Sequence, residues 1–161
     1  MFKRILIPTD GSKVARKAII AGVAFAKEVG ASVIGYTASE PIEGFFYEGG
    51  GRDLSALKTF EERQRAQALR YLGEVEKAAR AAGVACETVV MVTASPYEGI
   101  LAIARKKKCD LIFMSSHGRG GLASLLLGSV TQKVLAQWQW LSSFNDPRGI
   151  YARLPFELEL N

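Results

Sequence analysis

Short apolar runs and longer amphipathic stretches alternate four times along this chain, and that alternation restricts the fold more than any other feature. Ile5-Leu6-Ile7, Ala31–Thr37, Ala85–Val92 and Leu111–Met114 have the length and composition of strands, and the last reads as buried on both faces. Between them lie stretches with helical periodicity. Ser12 is placed to cap a helix whose apolar face includes Ala15, Ala18, Ile19, Gly22, Val23 and Ala26, and Gly30 ends it. A long helix is expected from about Asp53 to Ala82, with Leu54, Leu57, Leu69, Leu72, Val75 and Ala79 on its buried side and Gly83 after it. Ser95-Pro96-Tyr97-Glu98 supplies a cap, a proline at the first helical position and an acid at the third. Repeated strand–helix units of this kind fold as an α/β protein. The expectation is an open, mostly parallel, doubly wound (Rossmann-like) sheet with helices on both faces and right-handed crossovers.

The fourth unit carries the chemistry. Its strand ends in the polar, glycine-rich segment Ser115–Gly121, and Gly128-Ser129 then leads into another periodic helix. Ser129 and Gln132 have capping-box spacing, which predicts that the helix begins with Ser129 as its cap. A glycine loop feeding a helix start leaves backbone N–H groups free with a partial positive charge behind them, an arrangement that suits phosphate. The chain has no Gly-Lys-Ser/Thr ending, so it is not a P-loop protein. Gly118-Arg119-Gly120-Gly121-Leu122-Ala123 does fit a dinucleotide fingerprint. It lies in the fourth unit rather than the first, and the nearest acid, Asp146, sits in a turn-like Asn-Asp-Pro.

These residues resemble the universal stress protein family, in particular its ATP-binding subgroup. The subgroup's signature is Gly, two residues, Gly, nine residues, then Gly-Ser or Gly-Thr. Gly118, nine residues and Gly128-Ser129 fit in register, while Ser115 stands where the first glycine would be. The resemblance covers about Phe2 to Ala136 and implies strand order 3-2-1-4-5. The first and fourth strands are then neighbours, at the point where ligands of open α/β sheets bind. Pro8, Thr9 and Asp10 would meet the adenine and ribose side of a nucleotide, and the end of the second strand near Thr37 would offer backbone to the base. Met114 and Ser115 would flank the ribose, while Gly118, Gly128, Ser129, Val130 and Thr131 would hold phosphates. Arg119 and His117 would lie beside them, His117 as a positioning rather than a catalytic group. The implied ligand is ATP, with AMP or ADP as alternatives and Mg entering with the triphosphate. The implied function is a sensor or switch in stress response. Alternatives are a non-nucleotide-binding stress protein acting through protein contacts, a slow ATPase or nucleotidyl transferase, and last a dinucleotide enzyme. No catalytic residue is assigned.

Composition sets the remaining limits. The 161 residues are 48% apolar and 23% charged, within the range of one globular domain. Apolar runs are far shorter than a membrane span and no signal-peptide h-region precedes the first charges, so a cytoplasmic protein without a membrane partner is expected. The +5 charge is mostly scattered. Its one run, Arg105–Lys108, falls at a predicted helix end where it opposes the macrodipole, so no nucleic-acid partner is expected. Cys86 and Cys109 have no metal spacing, and in the implied order about three strand spacings (~14 Å) separate them, too far for a disulfide. Glu43–Gly51, with Phe45, Phe46, Tyr47 and a triple glycine, is placed to act as a lid. The resemblance stops near Gln137. Family members continue into a valine-rich fifth strand that commonly pairs with its copy in a homodimer, whereas residues 138–161 form an atypical tail beyond the 1–137 domain. The usual fifth strand and its dimer are therefore expected to be absent or rebuilt, with Leu154–Leu160 docking on a sheet edge or a neighbouring chain.

Overall fold

The computed structural model describes residues 2–42, 54–115 and 128–145, with side chains to residue 137 in the last segment. Its strands are β1 (Arg4–Pro8), β2 (Ser32–Ser39), β3 (Cys86–Val92) and β4 (Leu111–Ile112). Its helices are α1 (Lys13–Val29), α2 (Leu54–Ala82), α3 (Pro96–Lys106) and α4 (Ser129–Asn145). The strands form one sheet in the order β3-β2-β1-β4, every pairing parallel. This is the doubly wound α/β arrangement expected, with 3-2-1-4 in sequence, and β1 and β4 are neighbours. The described residues hold no fifth strand.

The sheet is covered on both sides, which is why its central strands are apolar at successive positions. Ile5, Ile7, Val33 and Leu111 pack on one face against Ile19, Val23 and Ala26 of α1 and Val75 and Ala79 of α2. Leu6, Ile34, Tyr36 and Ile112 pack on the other against Ile100, Leu101, Ile103 and Ala104 of α3 and Val134 of α4. Alternate residues of β1 thus serve two cores, as the two-residue period of a strand requires.

Several boundaries differ from expectation. The ladder of β4 covers only Leu111 and Ile112, although the Phe113 N–H still donates to the Leu6 carbonyl (2.8 Å). β2 runs two residues further, to Ser39, because its pairing with β3 continues through Ser39↔Val92. In α2 the buried residues are Ala68, Leu72, Val75 and Ala79. Leu54 and Leu69 are 74% and 61% exposed, against expectation. Two causes act: Leu54 lies at the start of a helix of about 43 Å, beyond the reach of the seven residues of β3 (about 23 Å), whereas Leu69 lies about 100° round the helix from Ala68, off the buried stripe Ala68, Leu72, Val75 and Ala79. The buried residues of α2 begin only at Ala68. α4 starts at Ser129 as expected, but the cap is the residue before it: the Gly128 carbonyl accepts the Gln132 N–H (2.9 Å) and Ser129 is already helical. α4 then continues to Asn145, through the first part of the stretch set apart as a tail. Both cysteines are free. No helix among the described residues is long and apolar enough to cross a membrane.

Candidate functional site

Where β1 and β4 leave the sheet side by side, the chain turns to opposite faces, β1 into α1 and β4 toward α4. The carboxyl ends of β1, β2 and β4 are tied there by hydroxyl groups. The Thr9 N–H donates to the Tyr36 carbonyl (2.8 Å), and the Thr37 hydroxyl donates to the Thr9 carbonyl (2.8 Å). The Gly11 N–H in turn donates to Thr9 Oγ1 (3.2 Å). Across the crevice the Thr131 hydroxyl, in the first turn of α4, donates to the Ser115 carbonyl (3.1 Å). Thr9, Thr37 and Thr131 are the buried polar side chains among the described residues. A buried hydroxyl persists when it is hydrogen-bonded, and here each bond fastens a loop to a strand end.

Thr37 and Thr131 therefore use their hydroxyl protons inside the protein. The Thr131 side chain thus anchors α4, which leaves its backbone N–H as the group the helix start can present. Ser129 differs, being exposed at the start of the helix. The N–H groups of Ser129, Val130 and Thr131 precede the first intrahelical bond, which begins at Gln132, so the helix geometry leaves them without an i−4 carbonyl. Val130 and Met114 lean on the core beneath α3 and α4.

Asp10 accepts the Ser12 N–H through Oδ1 (2.9 Å), and Ser12 Oγ accepts the Ala15 N–H (3.1 Å), capping α1 as expected. Asp10 is thus oriented by the turn it makes, beside half-buried Pro8. Gly11 has φ 72°, and a Cβ placed on it would lie 2.0 Å from the Tyr71 ring of α2. Only glycine fits there. Arg16 adds a second clamp: its Nη2 donates to the Gly11 carbonyl (3.2 Å) while its Nε pairs with Glu74 of α2 (3.0 Å). Sequence reasoning missed Tyr71, Arg16 and Glu74. Tyr71 and Glu74 are far from Gly11 along the chain, and Arg16, five residues after it, belongs to no motif that would mark it. His117, Gly118 and Arg119, like the expected lid at Glu43–Gly51 and the strand at Leu154–Leu160, lie outside the described residues. Among the described residues no cluster of three acidic, histidine or cysteine side chains is arranged to hold a metal.

An open parallel sheet with polar loops and a helix start converging at its strand-order reversal is a recurrent class of α/β protein. The model of the universal stress protein family matches residues 1–140, and the chain belongs to that family. Universal stress protein MJ0531 of Methanocaldococcus jannaschii is 38% identical over 137 residues, 84% of this chain and 76% of that protein. A universal stress protein of Thermus aquaticus is 36% identical over 142 residues, 85% of this chain and 93% of the other. Among solved structures, MJ0577 of the same Methanocaldococcus superposes with TM-score 0.70 at 28% identity, covering 85% of this chain and 90% of that one. A universal stress protein in complex with cAMP superposes with TM-score 0.60 at 26% identity, covering 84% and 90%.

Proposed function

We propose that this chain binds an adenine nucleotide, ATP by preference, between the Pro8–Asp10 turn and the start of α4, and works as a nucleotide-dependent switch in stress response. The observation that carries this reading is the anchored helix start. Thr131 bonds the Ser115 carbonyl, so the N–H groups of Ser129–Thr131 are held at the mouth of the crevice between β1 and β4. That combination of helix dipole, N–H groups without an intrahelical partner and strand-order reversal favours a phosphate. A relative solved with cAMP, itself an adenine nucleotide, supports the same ligand class. Base and ribose would lie toward Asp10 and the end of β2. Mg would arrive on the triphosphate, held by phosphate oxygens. The role is binding rather than turnover, in the cytoplasm.

Calorimetry with ATP, AMP and NAD on folded, ligand-free protein tests this. ATP should bind, and Gly128→Asp should abolish binding by placing a carboxylate where phosphate oxygens would sit. Absence of heat with every adenine nucleotide would overturn the reading. Ser115 in place of the signature glycine favours the competing reading of a family member acting through protein contacts alone. If its Cβ crowds the ribose, Ser115→Gly tightens ATP binding, and if the site is unused it changes nothing.

A further inference from the structure

Through its middle α2 carries a half-buried stripe at Phe60, Gln64, Gln67 and Tyr71. Spacings of four, three and four put these side chains on one side of the helix. Both the middle and the end of the stripe are located by contacts. Tyr71 rests against Gly11 in the turn after β1, and Gln64 receives a hydrogen bond from Ser39 Oγ (3.4 Å) at the last residue of β2. Gln67 lies between them, its Nε2 donating to the Tyr71 hydroxyl (2.5 Å). The stripe therefore spans from the loop after β1 to the end of β2. Asp10 is next to Gly11, and Thr37 is two residues, about 7 Å, before Ser39. On the nucleotide reading these are the places where the base contacts protein.

We infer that Gln64 and Gln67 of α2 form a wall that reads the edge of the base, an inference that rests on the proposed nucleotide site and assigns its base selectivity. The chemistry is complementary. In the assigned amide orientations, Gln64 Nε2 and Gln67 Oε1 make no hydrogen bond among the described residues. They form one donor and one acceptor on adjacent turns. The six-membered edge of adenine offers a ring-nitrogen acceptor beside an exocyclic amino donor, so Gln64 donates to the ring nitrogen and Gln67 accepts from the amine. Tyr71 is a positioning residue, holding Gln67 through its hydroxyl and α2 through its contact with Gly11.

The test pairs a protein change with a ligand change, using the full chain with ATP, its analogue lacking the 6-amino group, and tripolyphosphate. Wild type should bind the analogue about fivefold more weakly than ATP, the usual worth of one hydrogen bond. Gln67→Leu should weaken ATP by the same factor and lose the distinction between the two nucleotides. Gln67→Glu keeps the acceptor and should keep the distinction. Gln64→Leu should weaken both nucleotides equally. Tripolyphosphate affinity should be unchanged in all three variants, which also shows that they fold with the phosphate site intact. A Gln67→Leu protein that separates ATP from the analogue as well as wild type does overturns the inference and leaves the nucleotide reading standing. A wild type that binds no adenine nucleotide overturns both.

Discussion

The two ends of the sheet are built on different principles. At the amino end, α1, α2 and α3 all return to the sheet by one device. The Gly30, Gly83 and Lys108 N–H groups donate to the Lys27, Arg80 and Arg105 carbonyls. The following Ala31, Val84 and Cys109 N–H groups reach back to Ala26, Ala79 and Ala104 at 2.8–2.9 Å. This is the Schellman closure, with each central residue left-handed at φ 68°, 70° and 52°. At the carboxyl end the described connections differ from one another. An Asx turn follows β1, threonine hydroxyls tie strand ends together, and a glycine carbonyl starts α4. Repetition at one end marks where the chain needs only to turn round. Individual polar loops at the other mark where a surface can be specialised without disturbing the frame.

Each end also buries one weak acid, and alkali should expose the difference with the largest effect. At the amino end burial first, and the Asp110 charge next, push the Cys109 thiol from 9.0 up to about 12. At the carboxyl end burial pushes the Tyr36 hydroxyl from 10.0 up to about 12. Both stay neutral in the folded chain while their unfolded counterparts ionise. Their contribution is therefore complete below about pH 9 and declines up to about pH 12, by about 1.4 kcal/mol per unit for each group over the full slope. Cys86, also raised by burial, adds to the early part of that decline. Denaturation measured from pH 8 to 11 should show Cys109→Ala flattening the fall from pH 9 and Tyr36→Phe flattening it only above 10. Identical profiles for both variants and wild type would contradict the burial of both groups.

Next in size is Gly99→Ala at the carboxyl end. A Cβ there would lie 2.1 Å from the Tyr36 hydroxyl, which is buried without a hydrogen-bond partner among the described residues. Overpacking of this kind should cost about 1–3 kcal/mol. Tyr36→Phe should relieve part of that cost and, alone, should stabilise the fold by removing an unsatisfied polar atom. Equal destabilisation by Gly99→Ala in both backgrounds would show that the ring is not the obstacle.

What the sequence revealed and what it hid divide along the same line. Ser12 as a cap, Gly30 and Gly83 as stops and the buried apolar strands rest on local rules, and the structure reproduces them. Family resemblance supplied the order 3-2-1-4, which no periodicity contains. The start of α4 at Ser129 was legible, but not its cap, because Gly128 caps with its backbone, which a side-chain pattern cannot signal. Ser95 sits at its expected place, but its side chain makes no capping bond, and Thr93 Oγ1 accepts its N–H instead (3.0 Å). The inward turns of Thr37 and Thr131, and the Tyr71 ring over Gly11, join residues far apart in the chain. Leu54 and Leu69 were assigned to the core by periodicity; the shorter strand beneath leaves out Leu54, and the observed stripe through Ala68, Leu72, Val75 and Ala79 leaves Leu69 to one side.

A smaller effect should come from Asp110, which separates stability from binding. Its two carboxylate oxygens accept the backbone N–H groups of Lys3 (2.8 Å) and Arg4 (3.0 Å), pinning the start of β1 to the start of β4. Asp110→Ala should cost about 1–2 kcal/mol, the net worth of two such bonds near solvent. Nucleotide affinity should not change, because the defect lies at the other end of the sheet. A matching loss of affinity would mean that the two ends are coupled through β1 and β4.

The smallest effect tests the repeated closure itself. Lys108 is the one left-handed residue other than glycine among those described, at φ 52°. An L side chain there places its Cβ against the following carbonyl, at a cost of about 1 kcal/mol or more. Glycine removes that cost but adds flexibility to the unfolded chain, offsetting part of the gain. Lys108→Gly should therefore stabilise the fold by about 0.5 kcal/mol, whereas Lys108→Val, branched at Cβ, should destabilise it. Removing the charge alone does not explain that pattern, because both substitutions remove the same ammonium group from the end of α3. Thermal melts of the two variants give the answer, and equal shifts for glycine and valine would show that backbone strain at this closure is not what limits it.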